Sequence, residues 1–212
     1  YFLLADENNT DGAHTFYVFL NPCLNITPIG GTGSGYSQSY SGGGNGGWYT
    51  SSSSPCNYPC PGLEHIYSFV PSVSGQYRIV VTTATGYVDY MWKSSSCSST
   101  GWTCIDDIYT SGTYGSLILE EGVTYYLLLD KETTTAGTHN FYLTLAEAAG
   151  NWEGTVSNDW YNSANWSATF VPVSTTDVTI NTGYTYYPII GSGDAYGNSV
   201  SIGPGAKLSI GD

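Results

Sequence analysis

Positive charge is scarce in this sequence: its 212 residues include 4 Lys and Arg against 17 Asp and Glu, a formal net charge of -13. Binding to a nucleic-acid backbone or an anionic membrane surface relies on basic side chains. The composition therefore excludes both as partners. Charged residues are 10% of the chain and aromatic residues 15%, the reverse of a disordered composition, so we expect a packed core.

Long apolar runs are absent as well, so the sequence predicts no membrane-inserted helix, and any export signal or anchor is expected outside this sequence. Periodicity typical of helices longer than two turns is also missing. Short alternating runs separated by Gly, Ser and Pro predict an all-β protein with almost no helix. The expected architecture is an antiparallel, jelly-roll-like β-sandwich followed by a second small β domain or the start of a β-solenoid.

An internal repeat sets the expected domain boundaries. Residues 1–17 match residues 126–142, with His14 aligned to His139 and Glu7 to Glu132. The match predicts that residues 1–20 are the closing hairpin of a preceding repeat domain. An isolated hairpin is marginal in water, so we expect it to pack on an upstream segment or on another copy of the molecule.

Two further domains are expected after that hairpin: a complete sandwich over residues 21–148, and a Trp-rich β domain or first solenoid rungs over residues 149–212. The sandwich begins with Gly/Ser-rich loops, and its composition near Ala146 indicates a linker. Its expected strands are 64–70, 75–82, 87–92, 115–119, 124–129 and 140–145.

The five cysteines indicate disulfides rather than a zinc site, because their spacings do not form a Cys-x-x-Cys motif. Cys97 and Cys104 bracket a polar loop, and we expect them to pair with each other. Cys56 and Cys60 either close a small ring or separate, with one of them pairing with Cys23. The odd count predicts one free thiol or a partner outside the chain.

The ordered motifs at 66–69, 74–77, 87–90, 101–107 and 124–130 resemble the bacterial pre-peptidase C-terminal domain, over about residues 24–146. The resemblance is strongest to the form repeated in large secreted proteins of Bacteroidota. It implies a non-catalytic β-sandwich appended to secreted peptidases or adhesins, and some related collagen-binding modules hold calcium.

The Trp-rich motifs of residues 151–212 are similar to the opening of β-solenoid segments in surface adhesins of the same bacteria. They include 152–155, 159–160, 165–166, 177–180 and 205–210. This second resemblance implies export by the type IX secretion route.

Catalytic signals are weak throughout. Gly42, Gly44 and Gly47 match the dinucleotide-binding spacing, but they follow no hydrophobic strand and open no helix. His14 and His139 suit a structural hairpin contact, and His65 has no nucleophile at a recognisable spacing. The sequence therefore predicts that this chain is not an enzyme.

Carboxylates in loops and at strand ends indicate a calcium site, since Ca²⁺ prefers hard oxygen ligands. The candidate ligands are Asp89, Asp106, Asp107, Asp130 and Glu132, with Asp106 and Asp107 expected in one loop. The alternative is a solvated acidic rim. No other cofactor is expected.

Exposed aromatic residues offer a second kind of site, because flat rings stack on sugars. Trp48, Trp92 and Trp102 are the candidates for glycan stacking. The alternative, burial of these rings in the sandwich, is the more common role of aromatic residues in β proteins.

Together these features predict a non-catalytic extracellular or cell-surface module, a fragment of a long repetitive adhesin or filament. Its partners would be neighbouring repeat domains or subunits, together with a polysaccharide or cell-surface ligand. Two alternatives stay open: an accessory substrate- or glycan-binding domain of a secreted hydrolase, and a fibre subunit that assembles by strand addition through residues 1–20.

Overall fold

The computed structural model describes residues 21–33, 38–50, 52–94 and 96–211. The prediction for the hairpin of residues 1–20 lies outside these ranges. The described residues form thirteen strands and no α-helix; short 3-10 turns occur at Pro22–Leu24, Ser163–Asn165 and Ser167–Thr169. The all-β prediction is confirmed. None of the described helices has the length and apolarity to span a membrane.

Nine strands form two facing sheets in residues 21–148. They are β1 (Ile26–Pro28), β2 (Gln38–Gly42), β3 (Glu64–Phe69), β4 (Gly75–Ala84), β5 (Val88–Lys93), β6 (Thr103–Ile108), β7 (Gly112–Leu119), β8 (Tyr125–Lys131) and β9 (Gly137–Ala148). The five-stranded sheet has the order β1-β3-β8-β5-β6, and the four-stranded sheet has the order β2-β9-β4-β7. The described strands of this unit form the predicted antiparallel sandwich, with one parallel pair, β1 with β3, at an edge.

Alternation along the five-stranded sheet divides its side chains between two apolar clusters. The inner face packs against the four-stranded sheet; Tyr67, for example, meets Phe141 edge to face with ring centroids 5.1 Å apart. The outer face carries Ile66, Met91 and Leu128, which form a second cluster. Residues 43–50 and 52–62, here called the covering segment, lie over part of this outer face and contribute Trp48 and Cys56 to that cluster.

Two local predictions are wrong. Asp106 and Asp107 were expected in a loop, but they lie in the edge strand β6; two adjacent aspartates mask its strand propensity. The predicted linker at Ala146 belongs to β9, which continues to Ala148 because the backbone pairs with Gly75 and Gln76 of β4.

The disulfide prediction needs correction. Cys97 pairs with Cys23 and Cys104 pairs with Cys56, while Cys60 is free and buried. The loop between Cys97 and Cys104 is tied by hydrogen bonds in place of a disulfide. Lys93 Nζ donates to Ser98 Oγ at 2.8 Å and to the Thr100 carbonyl at 2.7 Å. The two disulfides instead attach the segment near Cys23 and the covering segment to the five-stranded sheet and its loop.

Residues 150–211 contain four short strands: β10 (Asp177–Ile180), β11 (Ile189–Ile190), β12 (Ser199–Ile202) and β13 (Ser209–Ile210). They pair in parallel, β10 with β12 and β11 with β13. Three fully buried tryptophans, Trp152, Trp160 and Trp166, pack edge to face at one end of this arrangement. The expected second small β unit is therefore present.

Candidate metal centre

Four carboxylates lie side by side across four neighbouring strands. Strand pairing places Glu64 of β3 opposite Asp130 of β8, Asp130 opposite Asp89 of β5, and Asp89 opposite Asp107 of β6. Directly paired residues project from the same face of a sheet. That face is the outer one, because the neighbours of Asp89 on β5 belong to the inner core. Glu132, two residues beyond Asp130, joins this group, here called the acidic row.

The covering segment closes over the acidic row and donates hydrogen bonds to it. The Ser54 hydroxyl donates to Asp89 Oδ2, and the Cys60 thiol lies 3.2 Å from the same oxygen. The backbone amides of Gly47 and Trp48 both donate to Glu64 Oε1. The row is thus an enclosed feature rather than the solvated acidic rim that was the alternative prediction.

Several oxygens of the row are buried without a hydrogen-bond partner among the described residues. Both carboxylate oxygens of Asp130 are in this state, as is one oxygen each of Asp89, Asp107 and Glu132. The side chains of Asp89 and Asp130 are completely buried, with 0% exposure. A buried polar atom without a partner costs free energy, and a buried charge costs far more unless it is paired. Something must therefore compensate these groups, either protons or a cation.

Proton affinities in the row are correspondingly high. Burial, followed by the charges of Glu64 and Asp89, raises the pKa of Asp130 to about 9. Burial, followed by the charges of Asp107 and Asp89, raises the pKa of Glu132 to about 7. The pKa of Asp107 is raised to about 6, chiefly by burial and then by Asp89 and Asp106. Burial also raises the pKa of Asp89 and of Glu64, although hydrogen bonds oppose it in both.

Of the four basic residues of the protein, Lys131 acts on the row. Its charge lowers the pKa of Glu132, and its backbone amide lowers the pKa of Asp130, but burial outweighs both effects. Lys93 is bound in its own loop, and Arg78 and Lys207 are exposed.

The geometry of the row suits a calcium ion. One ligand oxygen each from Asp89, Asp107 and Glu132 can be chosen so that all three lie within 4.8 Å of one another. Ca²⁺ binds oxygens at roughly 2.4 Å, so two ligands on opposite sides of the ion are about 4.8 Å apart. The unpartnered oxygens of the row are hard donors of the type that Ca²⁺ prefers.

Asp106 does not belong to this centre. It is exposed and pairs with Tyr90, one position away from the row, and its Oδ1 accepts the backbone amide of Asp107 at 3.0 Å. Asp89 is the second residue of β5 and Asp130 the second to last of β8, so both lie at strand ends, whereas Asp107 lies within β6, where a loop was expected. Sequence reasoning also missed Glu64 and the two donors Ser54 and Cys60. The one sequence feature that could have identified Glu64 as a member of the acidic row is its alternation with the core residues of β3.

Glycines let the covering segment approach this closely. A Cβ added to Gly46 would lie 1.8 Å from the Gly62 carbonyl oxygen and 2.9 Å from the Glu64 carboxylate. A Cβ on Gly62 would lie 2.3 Å from the Thr133 carbonyl oxygen. Any side chain at either position would push the segment away from the sheet.

We expect Gly46→Ala to lower the free energy of unfolding by about 1–3 kcal/mol, the usual cost of overpacking. Gly191→Ala is the matched control, because a Cβ there meets nothing within 4 Å and its effect should be near zero. Urea denaturation of both variants measures the difference. Equal midpoints for the two variants would contradict the close approach described here.

The three tryptophans proposed for glycan stacking do not form one surface. Trp92 packs against Tyr125 beside the inner core, whereas Trp48 and Trp102 belong to the outer cluster. Trp102 is 6% exposed, and Lys93 Nζ lies 4.9 Å from its ring centroid. Trp48 lines an open cleft of about 440 Å³ together with Ser98 and Ser99. Glycan binding stays a prediction, with Trp48 as the one candidate ring on a cleft.

The two described histidines have structural surroundings. His139 is buried, with its ring nitrogens 3.2 Å from the Tyr90 hydroxyl and 3.0 Å from the Gly86 carbonyl oxygen. His65 stacks on Tyr67 with ring centroids 4.8 Å apart. Burial lowers the pKa of both histidines.

Comparisons with known proteins give two partial likenesses. Residues 151–212 match a family described as a domain of unknown function, DUF8693. The crystal structure of the pre-peptidase C-terminal domain of collagenase from Bacillus anthracis is similar over 57% of this chain and 95% of that chain, with 14% identity and a TM-score of 0.36. A likeness this distant brings no ligand or activity to the present chain. No curated protein matches the sequence.

Proposed function

We propose that this chain is a non-catalytic extracellular structural module whose sandwich is completed by a calcium ion bound in the acidic row. The observation that carries the proposal is the convergence of Asp89, Asp107 and Glu132: one oxygen from each lies within 4.8 Å of the others, and each residue has a buried oxygen without a hydrogen-bond partner among the described residues. A divalent cation compensates such a group without the cost of protonating it.

The ion would act as a cross-link. Asp89, Asp107 and Glu132 come from β5, β6 and the end of β8, and Asp89 also holds the covering segment through Ser54. One cation bound among these side chains would connect three strands and their cover. Ligand binding to the folded state stabilises it by about 2.7 kcal/mol when the free ion is at 100 times its dissociation constant.

Two disulfides support the extracellular part of the proposal, because such bonds persist mainly in oxidising compartments. Together with the motif resemblances, they support a role as a repeat or spacer module in a long surface adhesin of Bacteroidota, exported by the type IX route. In such an array of repeated modules, many weak binding contacts add up to a high overall affinity. A denatured mass far above 22.7 kDa in the native source is the result expected, and a mass close to 22.7 kDa would contradict membership of a longer chain.

Thermal denaturation in CaCl₂ and in EDTA tests the metal directly. For a chain of this size, saturating Ca²⁺ at pH 7.5 should raise the melting temperature by about 5–10 °C. Asp107→Asn should lose most of this increment, since the amide replaces a charged ligand of the ion. Asp106→Asn is the matched control, because Asp106 is exposed and outside the row, and it should keep the full increment.

Isothermal titration of the metal-free protein with Ca²⁺ gives the second readout. We expect one principal site that Asp107→Asn weakens at least tenfold. Absence of both binding heat and a melting shift in the original protein would overturn the proposal. An equal shift with Mg²⁺ would contradict the assignment to calcium.

A further inference from the structure

The parallel unit of residues 150–211 is built from stacked levels, where a level is a pair of successive short strands. Strands β10 and β11 form one level, and β12 and β13, which pair with them in parallel, form the next. Val178 and Ile180 of β10 lie in register with Val200 and Ile202 of β12, and Ile190 of β11 lies in register with Ile210 of β13. In parallel pairs, aligned residues face the same side. Each level therefore stacks its apolar residues on those of the level before.

A first level precedes β10. Asn151 bridges Thr179 in parallel, and Asp159 bridges Ile189 in parallel, so residues 151–159 run along β10 and β11 on the side opposite to β12 and β13. The tryptophan cluster belongs to this level. The Trp152 indole donates to the Tyr186 carbonyl at 2.8 Å, and the Trp166 indole donates to the Trp160 carbonyl at 2.7 Å. This end of the stack is closed by large buried rings.

The opposite end is open. Val178 and Ile180 are 1% and 0% exposed, whereas the aligned Val200 and Ile202 are 50% and 47% exposed. Ile210 is 80% exposed. The difference arises because the level of β12 and β13 covers β10 and β11, while no described residue covers β12 and β13 in turn.

Within β12 and β13 themselves there is none of the features that protect edge strands; Pro204 and Lys207 lie in the connection between them. Native edges are usually blocked by charge, proline or a bulge, yet β12 reads Ser-Val-Ser-Ile and β13 reads Ser-Ile, and their pairing is regular. In residues 197–211 the single charged side chain is Lys207. Residues 197–211 contain no Asp or Glu, so negative charge on this surface would not repel a strand that binds there.

We propose that the edge formed by β12 and β13 is a docking surface for a further parallel level with the same kinds of side chains. The occupant is a segment with Val or Ile at the positions that stack on Val200, Ile202 and Ile210, and with small polar residues between them. The pairing of β10 with β12 is continuous with this surface and defines its register. The tryptophan cluster makes the addition possible at one end only.

The proposal is tested by extending the chain after Asp212 with a second copy of its residues 193–211. This extension places the new Ser-Val-Ser-Ile the same distance beyond β13 as β12 lies beyond β11. Hydrogen exchange of the backbone amides of β12 that point away from β10 should slow at least tenfold. The control extension carries Ser in place of the residues copied from Val200, Ile202 and Ile210, and it should leave exchange unchanged.

Equal exchange in both extended chains would overturn the proposal. Sedimentation of the original chain provides the other arm. If it dimerises, and Val200→Lys with Ile202→Lys abolishes the dimer, then the edge binds a second copy and the assigned occupant is wrong. A monomer across the concentration range, together with protection in the extended chain, supports the added level.

Discussion

In the absence of divalent cations, the free energy of unfolding should fall by about 2–3 kcal/mol between pH 6.5 and pH 8.5, as expected for one proton lost per molecule at about 1.4 kcal/mol per pH unit. Asp130 is the principal cause. Its folded-state pKa is raised to about 9 from an ordinary value of 3.8, so the folded state holds a proton that the unfolded state has released. The stability is complete below the unfolded pKa and is lost as pH rises through the folded pKa.

The other titratable groups with shifted pKa values do not cancel the expected loss of stability between pH 6.5 and pH 8.5. Glu132, with its pKa raised to about 7, adds a decline of the same sign at the lower end of the window. The lowered pKa values of His65 and His139 act with the opposite sign, but mainly below pH 6.5. Burial raises the pKa of the Cys60 thiol above its ordinary value of 9.0, so its contribution comes at more alkaline pH.

Urea denaturation in EDTA at pH 6.5, 7.5 and 8.5 measures the effect. Asp130→Asn should flatten the dependence, and Asp106→Asn should leave it intact. Saturating Ca²⁺ should reverse the trend, because the cation replaces protons and binds better as they leave. A stability that rises with pH in EDTA would show that the buried carboxylate is ionised and compensated in some other way.

Loss of the Cys56–Cys104 disulfide is the second large expected effect. The bond closes a segment with a sequence separation of 48, and the chain-entropy estimate for such a loop is about 4 kcal/mol. This is a large part of the stability of an ordinary domain, about 5–15 kcal/mol. The bond also attaches the covering segment to β6, so Ca²⁺ affinity should fall in the same variant.

The double variant Cys56→Ser, Cys104→Ser tests this in saturating Ca²⁺ by urea denaturation and titration. Cys60→Ser is the matched control, because it keeps both disulfides and a hydroxyl donor toward Asp89. Peptide mapping without reduction should recover Cys23 joined to Cys97 and Cys56 joined to Cys104. A peptide joining Cys97 to Cys104, or equal stability of the two variants, would contradict the pairing described here.

The sequence was sufficient to predict most strands, because alternation and turn residues are local signals. β4 and β8 were predicted to within a few residues, and the motif at 177–180 coincides with β10. β6 was missed because Asp106 and Asp107 oppose strand propensity locally, while pairing with β5 overrides that preference.

The candidate site was predictable in residue type but not in arrangement. Asp89, Asp107 and Asp130 were identified as acidic candidates, yet the row exists only because three long-range pairings bring β3, β8, β5 and β6 into register. The single local signal for Glu64 was its alternation with the core residues of β3, which a surface glutamate of a strand also shows. The disulfide pairing depended on the path of the covering segment, which a Gly- and Ser-rich sequence does not specify.

The position of Cys60 has a consequence for oxidative folding. Its thiol is fully buried, and burial, followed by the charges of Asp130 and Asp89, raises its pKa. Thiol–disulfide exchange requires an accessible thiolate. Although Cys60 is only four residues from Cys56, it would be a very poor nucleophile once the sandwich has closed. Asp130 and Asp89 would then help to keep the Cys60 thiol protonated, so that it attacks the neighbouring Cys56–Cys104 disulfide slowly. The native disulfide pairing would therefore persist for kinetic reasons.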